Sequence, residues 1–323
     1  MSARISVSII NYRTGQLTID CVQSVIDAAR ADPEIAVKTI VVDNASGDGS
    51  ADQIAAWIDA HDLGDQVQLV RSPTNTGFSG GHNQGIAAQD SDFVLVLNSD
   101  AAVRPGVFSA LMHAAEAHPD AGFFGPRLED PDGTPQVSCF RAHSPQSELI
   151  RAAGTGPVTR LLRKREVALG LHPSPENIEW VSFACVLLRR EMIQDVGLMD
   201  EGYFLYFEDA EYGLRARRAR WGCAFVPEAR VIHYRGGSGP VKALQKARKR
   251  LPHYYYCART RFFYQLYGRS GLLAANLAWH LGRGIAQLRR LTGRAPSPAA
   301  AQEARDIWTN FTHPLGPRGA PGE

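Results

Sequence analysis

Short apolar runs alternate with amphipathic stretches over the first hundred residues. Four runs rich in branched side chains predict strands at residues 5–10, 37–42, 67–70 and 93–97. The stretches between them predict helices at residues 17–29, from the turn at 45–50 to about residue 60, and from 81 to 89. Strands that alternate with helices form parallel sheets, and continuous apolar strands are typical of a sheet covered by helices on both faces. The pattern therefore predicts an α/β fold with a mostly parallel sheet.

The pattern is less regular after residue 130. Residues 130–179 are rich in Pro, Gly and Arg and predict a mobile loop region. Ordered elements are expected again as a strand at 180–188, helices at 190–196 and 208–220, and two strands, one near 224–226 and one through His233. We expect residues 1–238 to form one domain with halves at 1–129 and 130–238. Residues 239–323 would form a helical extension.

The extension combines a basic, an aromatic and an amphipathic segment. Lysines and arginines cluster at 242–250, aromatic residues at 254–267, and leucines recur at helical spacing from Leu273 to Leu288. Two interpretations of the leucine stripe stay open. It packs on the preceding domain, as most amphipathic helices do, or it lies on an anionic membrane, which suits basic and aromatic segments. Polar residues interrupt the apolar tract, so a membrane-spanning helix is excluded.

Charge is distributed unevenly although the chain is nearly neutral. The 323 residues carry 35 Lys and Arg against 33 Asp and Glu, a formal net charge of +2. Fifteen of these basic residues but three of the acidic ones lie from position 234 onward, so an acidic body carries a basic tail. The acidic body argues against a nucleic-acid partner.

The cysteines and the N-terminus bear on the compartment. Five scattered cysteines without a C-x-x-C pair argue against a disulfide framework and a structural zinc site. The chain enters its first strand at Ile5 without the apolar block of a secretion signal. We expect a cytoplasmic location, with peripheral contact to the inner membrane face. The oligomeric state stays open.

Polar residues follow each of the four predicted strands. They are Asn11 and Tyr12, Asp43 and Asn44, the segment 71–83, and Asn98, Ser99 and Asp100. Ligands of open parallel sheets bind at the carboxyl ends of the strands. We therefore expect these side chains to line one crevice.

Asp100 and His233 are candidate metal ligands. Mg²⁺ and Mn²⁺ take one or two protein carboxylates together with substrate phosphates, so an acid at the mouth of the sheet suits either ion. Each residue also has a structural interpretation. Asp100 could cap the turn after its strand, and a lone His at a strand end is more often structural.

An acidic pair, Glu208 and Asp209, begins the helix predicted at 208–220. A helix N-terminus stabilises negative charge, and a carboxylate held beneath aromatic side chains could accept a proton as a general base. Ordinary capping is the alternative role.

A glycine-rich segment occupies residues 75–85. Its glycines would let the backbone approach a ligand closely before a helix begins. It matches neither the dinucleotide-binding nor the P-loop pattern.

Taken in order, these motifs resemble glycosyltransferase family 2, and within it the rhamnosyltransferase-like branch. The motifs lie at residues 7–12, 41–50, 75–85, 97–100 and 196–209. The resemblance covers residues 5–238, nearly three quarters of the chain. It implies a GT-A fold, an inverting mechanism and a nucleotide-diphosphate sugar donor.

The resemblance also implies roles for single residues. Asp43 would contact the base, while Asn11, Tyr12, Asn75 and Asn83 would line the nucleotide crevice. Asp100 matches the metal-binding acid of the family's D-x-D-type motif, which implies a divalent cation, Mg²⁺ or Mn²⁺, as cofactor. Asp209 matches the general base of its E-D motif, and His233 matches a histidine that joins the metal or the diphosphate.

Three positions depart from the family pattern. Asn98 leaves one acid in the D-x-D-type motif, Glu211 stands where Asp is frequent, and Phe183 replaces a small Gly. The first change weakens metal affinity, and we expect the bulky Phe183 to reshape the acceptor pocket.

The sequence thus predicts an inverting glycosyltransferase that moves a sugar from dTDP-rhamnose or a UDP-sugar to a glycan or lipid-linked acceptor. Two alternatives are a nucleotide-sugar-binding protein without activity and another sugar-nucleotide enzyme. Because Asp100 and Asp209 are both present, the enzyme is favoured.

Overall fold

One large sheet flanked by helices forms the centre of the protein. The computed structural model describes residues 4–234, 241–293, 295 and 299–321. The strands are β1 Arg4–Asn11, β2 Ala36–Asp43, β3 Val67–Arg71, β4 Phe93–Asn98, β5 Ala101–Val103, β6 Ala121–Glu129, β7 Cys139–Phe140, β8 Trp180–Val181, β9 Cys185–Arg189 and β10 Gly222–His233. The helices are α1 Gly15–Ala31, α2 Ser50–Ala60, α3 Gly77–Ala87, α4 Val107–Ala117, α5 Pro145–Ala153, α6 Gly156–Leu161, α7 Arg190–Val196, α8 Glu208–Arg218, α9 Val241–Lys246, α10 His253–Leu288 and α11 Glu303–Asp306.

The first half of the sheet is parallel, as its sequence predicts. The order of the large sheet is β3-β2-β1-β4-β9-β6-β10-β5, and β1 pairs in parallel with both β2 and β4. In this register Asn11 lies opposite Asp43, and Ile10 lies opposite Asn98. The carboxyl ends of three strands therefore meet at one edge of the sheet.

The second half contains antiparallel pairs that the sequence pattern does not reveal. Strand β9 runs antiparallel to β4 and β6, and β10 runs parallel to β6. Strands β6 and β10 therefore run in the same direction as β4. Strand β10 also ends at the edge where the carboxyl ends of the parallel strands meet.

Two strand predictions were wrong in this half. The single strand expected at 180–188 is divided into β8, which pairs with β7, and β9 in the large sheet. Between them the chain changes partners, since the Ser182 N–H donates to Ser138 while the Ala184 carbonyl accepts from Asn98. The two strands expected near 224–233 are one strand, β10, whose register shifts between Val226 and Arg230 around Pro227, a residue without a backbone donor.

Other differences concern the helices. Helix α3 begins at Gly77, within the segment expected to be a loop that leads into a helix after residue 81. The region 130–179 contains α5, which Ser144 caps through a hydrogen bond with Ser147, and therefore has more regular structure than expected.

The leucine stripe of α10 faces away from the protein. Leu277 and Leu281 are 55% and 60% exposed, whereas Asn276 is fully buried. Asn276 accepts a hydrogen bond from buried Arg259, which also pairs with Glu148 of α5. Gly282 permits close packing here, since a Cβ would lie 2.7 Å from the Leu149 carbonyl oxygen. Of the two interpretations left open, packing of these leucines on the preceding domain is therefore contradicted, because α10 packs through its other face.

The aromatic residues of the extension are mostly buried in contact with the α/β region. Phe262 and Phe263 share a hydrophobic cluster with Tyr203 and Phe207, and Arg261 pairs with Asp200 at 2.9 Å. These aromatic side chains are therefore unavailable to a membrane. The boundary at residue 238 stays a prediction, since it falls outside the described residues and the two parts share a core.

No helix in the described part of the chain is long and apolar enough to cross a membrane. Helix α10 has 36 residues but is kinked at Gly268, whose φ is 67°.

Candidate functional site

A cavity of about 480 Å³ opens at the carboxyl edge of the parallel strands. Its size lies within the usual range of small-molecule sites. Most polar lining residues follow β1, β2, β3 and β4, as the crevice prediction requires, and an apolar wall comes from the second half of the chain. The lining residues are Ile10, Tyr12, Arg13, Thr14, Asn44, Asn75, Gly77, Phe78, His82, Asn98, Ser99, Phe204, Leu205, Pro252, Tyr254 and Pro321.

Asn11 and Asp43 form a buried pair behind this lining. The Asn11 amide donates to the Asp43 carboxylate at 2.7 Å and to the Ser50 hydroxyl at 2.8 Å. Its carbonyl oxygen accepts from the Thr14 N–H at 3.2 Å. Asn11 thus orients Asp43 and the turn after β1, and its predicted place in the nucleotide crevice stays a prediction. The predicted contact of Asp43 with a base stays a prediction.

Tyr12 and Asn75 do line the cavity. Tyr12 is partly exposed, and the Arg13 guanidinium lies 5.3 Å from the centre of its ring. The Asn75 side-chain oxygen accepts hydrogen bonds from Asn44 and from the Gly77 N–H at the start of α3. Both placements agree with the predicted nucleotide crevice, although their roles in binding stay predictions.

Asn83 lies away from the lining and joins two segments of the chain. Its amide donates to the Met199 carbonyl and to Glu201, and its side-chain oxygen accepts from the Met199 N–H. Asn83 therefore fixes α3 to the segment that leads to Tyr203.

The glycines of the same motif serve packing. A Cβ at Gly77 would lie 2.2 Å from the Phe204 carbonyl oxygen, and a Cβ at Gly85 would lie 2.2 Å from the Ser8 hydroxyl. Since Gly77 also has a φ of 74°, only glycine fits there without strain. The expected loop for close ligand approach is instead a helix packed closely on β1.

Asp100 and His233 are brought together by the pairing of β5 with β10. His233 lies opposite Ala101 in that ladder, and its Nε2 is 3.7 Å from the Asp100 Oδ1. Both side chains are buried beside Ser99, which lines the cavity. One carboxylate and one imidazole fit a divalent cation whose other ligands are phosphate oxygens and water.

A larger cluster of ligating side chains is not required for such a site. Over the described ranges, no group of three or more His, Cys, Asp and Glu side chains could hold a metal ion. The role of Asp100 and His233 as metal ligands stays a prediction, in which phosphate oxygens and water would supply the remaining ligands.

The Glu208–Asp209 pair is held in strained, buried surroundings. Tyr206 and Phe207 have φ values of 76° and 68°, a region that bulky residues rarely adopt outside functional sites. Aromatic contacts from α10 hold this turn, because Tyr255 packs on both rings and Phe262 packs on Phe207.

Burial raises the pKa of Asp209 to about 6, although the N–H groups of Ala210 and Phe183 act in the opposite direction by stabilising the carboxylate. Burial raises the pKa of Glu208 well above its usual range, and the neighbouring Asp209 raises it further. With a pKa of about 6, the Asp209 carboxyl group is mostly ionised at neutral pH. A carboxylate with this pKa is suited to act as a general base.

A chain of backbone contacts places Asp209 at the ligand-binding edge. Its carboxylate is bound by the Phe183 N–H, and the next residue, Ala184, accepts a hydrogen bond from the Asn98 N–H at 2.9 Å. Asp209 and Asp100 therefore belong to the same edge of the sheet.

The other departures from the family pattern have structural roles. The Phe183 ring is buried with Phe123 and Tyr212, and its effect on an acceptor pocket stays a prediction. Glu211 pairs with Arg215 at 2.9 Å, one turn further along α8.

Two residues of the cavity have no role in the sequence prediction. His82 is buried in α3, a hydrogen bond joins its Nδ1 to the Ser8 hydroxyl, and burial lowers its pKa to about 3. Arg13 brings a positive charge to the lining, with its Nε donating to the Ser46 carbonyl. A histidine inside a glycine-rich helix and an arginine after β1 carry no recognisable spacing, so the sequence gives no signal for either.

Comparisons with known proteins agree with this arrangement. An N-acetylglucosaminyl-diphospho-decaprenol L-rhamnosyltransferase of Mycobacterium tuberculosis is 32% identical over 273 residues, which cover 78% of this chain and 82% of that protein. A mannosyltransferase of Pyrobaculum calidifontis, solved with GDP-Man and Mn²⁺, superposes with a TM-score of 0.56 at 14% identity and covers 98% of this chain and 85% of that one. GalNAc-T7, solved with UDP, GalNAc and Mn²⁺, also gives 0.56, at 16% identity, covering 98% and 59%.

The fold is accordingly that of GT-A glycosyltransferases, with a C-terminal helical region. The family description "Glycosyl transferase family 2" matches residues 6–197, more than half of the chain. This chain belongs to glycosyl transferase family 2 and is a rhamnosyltransferase-like enzyme.

Proposed function

We propose that this enzyme transfers a sugar, with inversion, from a nucleotide-diphosphate donor to a lipid-linked glycan acceptor in cell-surface polysaccharide synthesis. The observation that carries the proposal is the raised pKa of the buried Asp209 carboxylate, which Phe183 and Ala184 link to the end of β4, the strand that the Asp100–His233 pair follows. The similarity to an N-acetylglucosaminyl-diphospho-decaprenol L-rhamnosyltransferase supports rhamnose as the sugar, with dTDP-rhamnose as our proposed donor, and a polyprenyl diphosphate in the acceptor.

In this mechanism Asp209 is the general base. It takes the proton of the acceptor hydroxyl while that oxygen bonds to the anomeric carbon, a contribution of about 10²–10⁴ in rate. The bond from the anomeric carbon to the diphosphate oxygen breaks on the opposite face, and the nucleoside diphosphate leaves with the electron pair. This single displacement inverts the anomeric configuration.

Asp100 and His233 would hold a divalent cation against the diphosphate. Such an ion supplies Lewis-acid stabilisation of the charge that develops on the leaving group. The buried Asn11–Asp43 pair and the lining residues Tyr12 and Asn75 would hold the nucleoside, and Arg13 brings a further positive charge to the cavity.

A transfer assay tests the function. The protein is incubated with Mg²⁺ or Mn²⁺, labelled dTDP-rhamnose, UDP-sugars and GDP-sugars, with and without a polyprenyl-diphosphate-linked N-acetylglucosamine. We expect transfer to the lipid-linked acceptor, and slow donor hydrolysis without it. Binding without turnover would identify a nucleotide-sugar-binding protein, and turnover without an acceptor product would identify another sugar-nucleotide enzyme.

A lipid-linked acceptor requires the enzyme to work at a membrane surface, and the outer face of α10 suits this task. Leu273, Leu277 and Leu281 project from it one turn apart, and the helix carries no Asp or Glu. An amphipathic helix of this kind lies in the membrane interface without spanning it.

Basic residues adjoin this leucine face. The Arg289 guanidinium donates to the Gly154 carbonyl, so the end of α10 lies next to the start of α6. Residues 149–165 contain no acid, and Arg160, Arg163, Lys164 and Arg165 are exposed there. Each basic group near an anionic membrane contributes about 1 kcal/mol. We therefore include peripheral contact with the inner face of an anionic membrane in the proposal, with the leucines of α10 and the basic residues near α6 as the contact surface.

A further inference from the structure

Residues 317–321, far from the family motifs in sequence, reach the nucleotide cavity. Pro321 is one of the residues that line the cavity. Ala320 is buried in a cluster with Phe204 and Tyr254, which also line it. The segment therefore forms part of the apolar wall opposite the polar residues that follow the strands.

Arg318 fixes this segment to the first half of the chain. Its guanidinium donates to the Thr76 carbonyl at 3.0 Å and to the Glu201 carbonyl at 3.4 Å, and it lies 5.9 Å from the centre of the Phe204 ring. Thr76 directly precedes α3, whose first residues line the cavity. One side chain thus joins the C-terminal segment, the start of α3 and the turn before Glu208.

The backbone of the segment is closely packed as well. Gly319 has a φ of 68°, and a Cβ there would lie 2.7 Å from His253 Cδ2 and 2.9 Å from Cys257 Sγ. At the other end, the Asn310 amide donates to the Pro317 carbonyl. These contacts hold the segment in one position against the start of α10.

We propose that residues 317–321 are a functional part of the donor site, in which they close the cavity around a nucleoside diphosphate and Arg318 acts as the positioning residue. The choice of a nucleoside diphosphate as ligand rests on the proposed function. The inference that the segment forms a wall of the cavity rests on the contacts of Arg318, Ala320 and Pro321. Loss of the wall would open the apolar side of the cavity to water and remove contacts from the bound nucleotide. We assign the effect to nucleotide binding, because Pro321 lines the cavity and the side chains that Ala320 and Arg318 contact, Phe204 and Tyr254, line it too.

The test measures binding of UDP, dTDP and GDP by calorimetry in the presence of Mg²⁺ or Mn²⁺. Four variants of the full protein are compared with the wild type: a chain that ends at Gly316, Arg318→Ala, Arg318→Lys, and Arg305→Ala as a matched control from an exposed position. Circular dichroism and the melting temperature establish that each is folded. Arg318→Ala keeps the test decisive where the shortened chain does not fold.

We expect the dissociation constant of the preferred nucleotide to rise about tenfold in the shortened chain and in Arg318→Ala, the size of one lost charge-assisted hydrogen bond. Arg318→Lys should recover part of the affinity, and Arg305→Ala should bind as the wild type does. In transfer assays of the shortened chain and of Arg318→Ala, the donor KM should rise while kcat at saturating donor stays within about twofold of the wild type. This result is expected when the lost interaction stabilises the bound donor and the transition state equally.

Three results would overturn the proposal. Unchanged affinity in folded Arg318→Ala and in the shortened chain would make the segment a packing element only. Tighter binding in the shortened chain would mean that the segment competes with the nucleotide. A wild-type protein that binds none of the three nucleotides would remove the proposed function together with this inference, which separates the two kinds of failure.

Discussion

At Asp209, burial and local hydrogen bonds act in opposite directions on one carboxyl group. Burial raises its pKa from 3.8 to about 6, while three backbone N–H groups, those of Ala210, Asp209 and Phe183, limit the rise. The folded protein therefore binds this proton more tightly than the unfolded chain does. The stability gained from the protonated group is lost as the pH rises from 3.8 to about 6, so the ionised carboxylate destabilises the fold at neutral pH.

Asp209→Asn should separate catalysis from stability. We expect transfer to fall by about 10² or more, because the amide cannot accept a proton, while donor binding persists. The melting temperature at neutral pH should rise, since the buried charge is removed. Exposed Asp65→Asn is the control for both measurements. Near-normal turnover of the Asp209 variant would exclude this residue as the base.

The pH dependence of transfer should follow the same group. We expect kcat to fall tenfold per pH unit below about 6, as Asp209 becomes protonated. Titration of His82 should not change the donor dissociation constant over this pH range. Burial lowers the pKa of His82 to about 3, so its ring stays neutral. A kcat profile that is flat across pH 6 would contradict the assignment of Asp209.

Asp100→Ala should weaken metal-dependent donor binding more than any other single acidic change. The buried Asp100 carboxylate is 3.7 Å from His233, and the neighbouring Asn98 offers a neutral oxygen only. Mn²⁺ is titrated in the presence of donor, with Asp65→Ala as the control. Identical curves for the variant and the wild type would show that the metal is held elsewhere.

At the scale of elements, α10 holds the turn that carries the acidic pair. Phe262 is fully buried against Phe207, whereas Leu277 on the same helix is 55% exposed. Phe262→Ala should lower the free energy of unfolding by about 3–5 kcal/mol, the usual cost of a truncated core aromatic. Leu277→Ala should change it by no more than about 0.5 kcal/mol, as expected for a surface position. Denaturant unfolding measures both, and equal effects would contradict the orientation of α10.

At the scale of the whole molecule, we expect the exposed leucines of α10 to determine whether the enzyme binds to a membrane surface. We expect co-sedimentation with vesicles that contain anionic lipid, less with neutral vesicles, and less again at high salt, because both apolar and charged contacts contribute. A Leu273→Gln, Leu277→Gln, Leu281→Gln variant should lose this binding yet keep its melting temperature and its hydrolysis of donor. Equal sedimentation of variant and wild type would exclude this face, and a change in oligomeric state instead would identify a contact between copies of the chain.

Hydrophobic periodicity was sufficient to predict the strands and helices that are defined by residues close together in the sequence. Strands β1–β4 and helix α7 follow from periodicity because the residue pattern within each short segment is enough to define it. The division of 180–188 into β8 and β9 could not be predicted, since it depends on pairing with β7 and β4, which are remote in the sequence. The sequence left the orientation of α10 open for a similar reason: Asn276 is buried through its hydrogen bond with Arg259, which pairs with Glu148, and no pattern within the helix shows this partner.

The sequence by itself determined the chemistry of this protein, because the residue types and their order fix which side chains end each strand and begin α8. Asn11, Asp43, Asp100 and Asp209 are identifiable in this way. The tertiary structure decided the contacts between remote residues: Asn11 bonds to Asp43, Asn83 bonds to Met199, His233 lies near Asp100, and Arg318 reaches Thr76 across 242 positions of the chain. Such contacts depend on which surfaces pack together and on the free energy of burying them, and neither is encoded in local spacing.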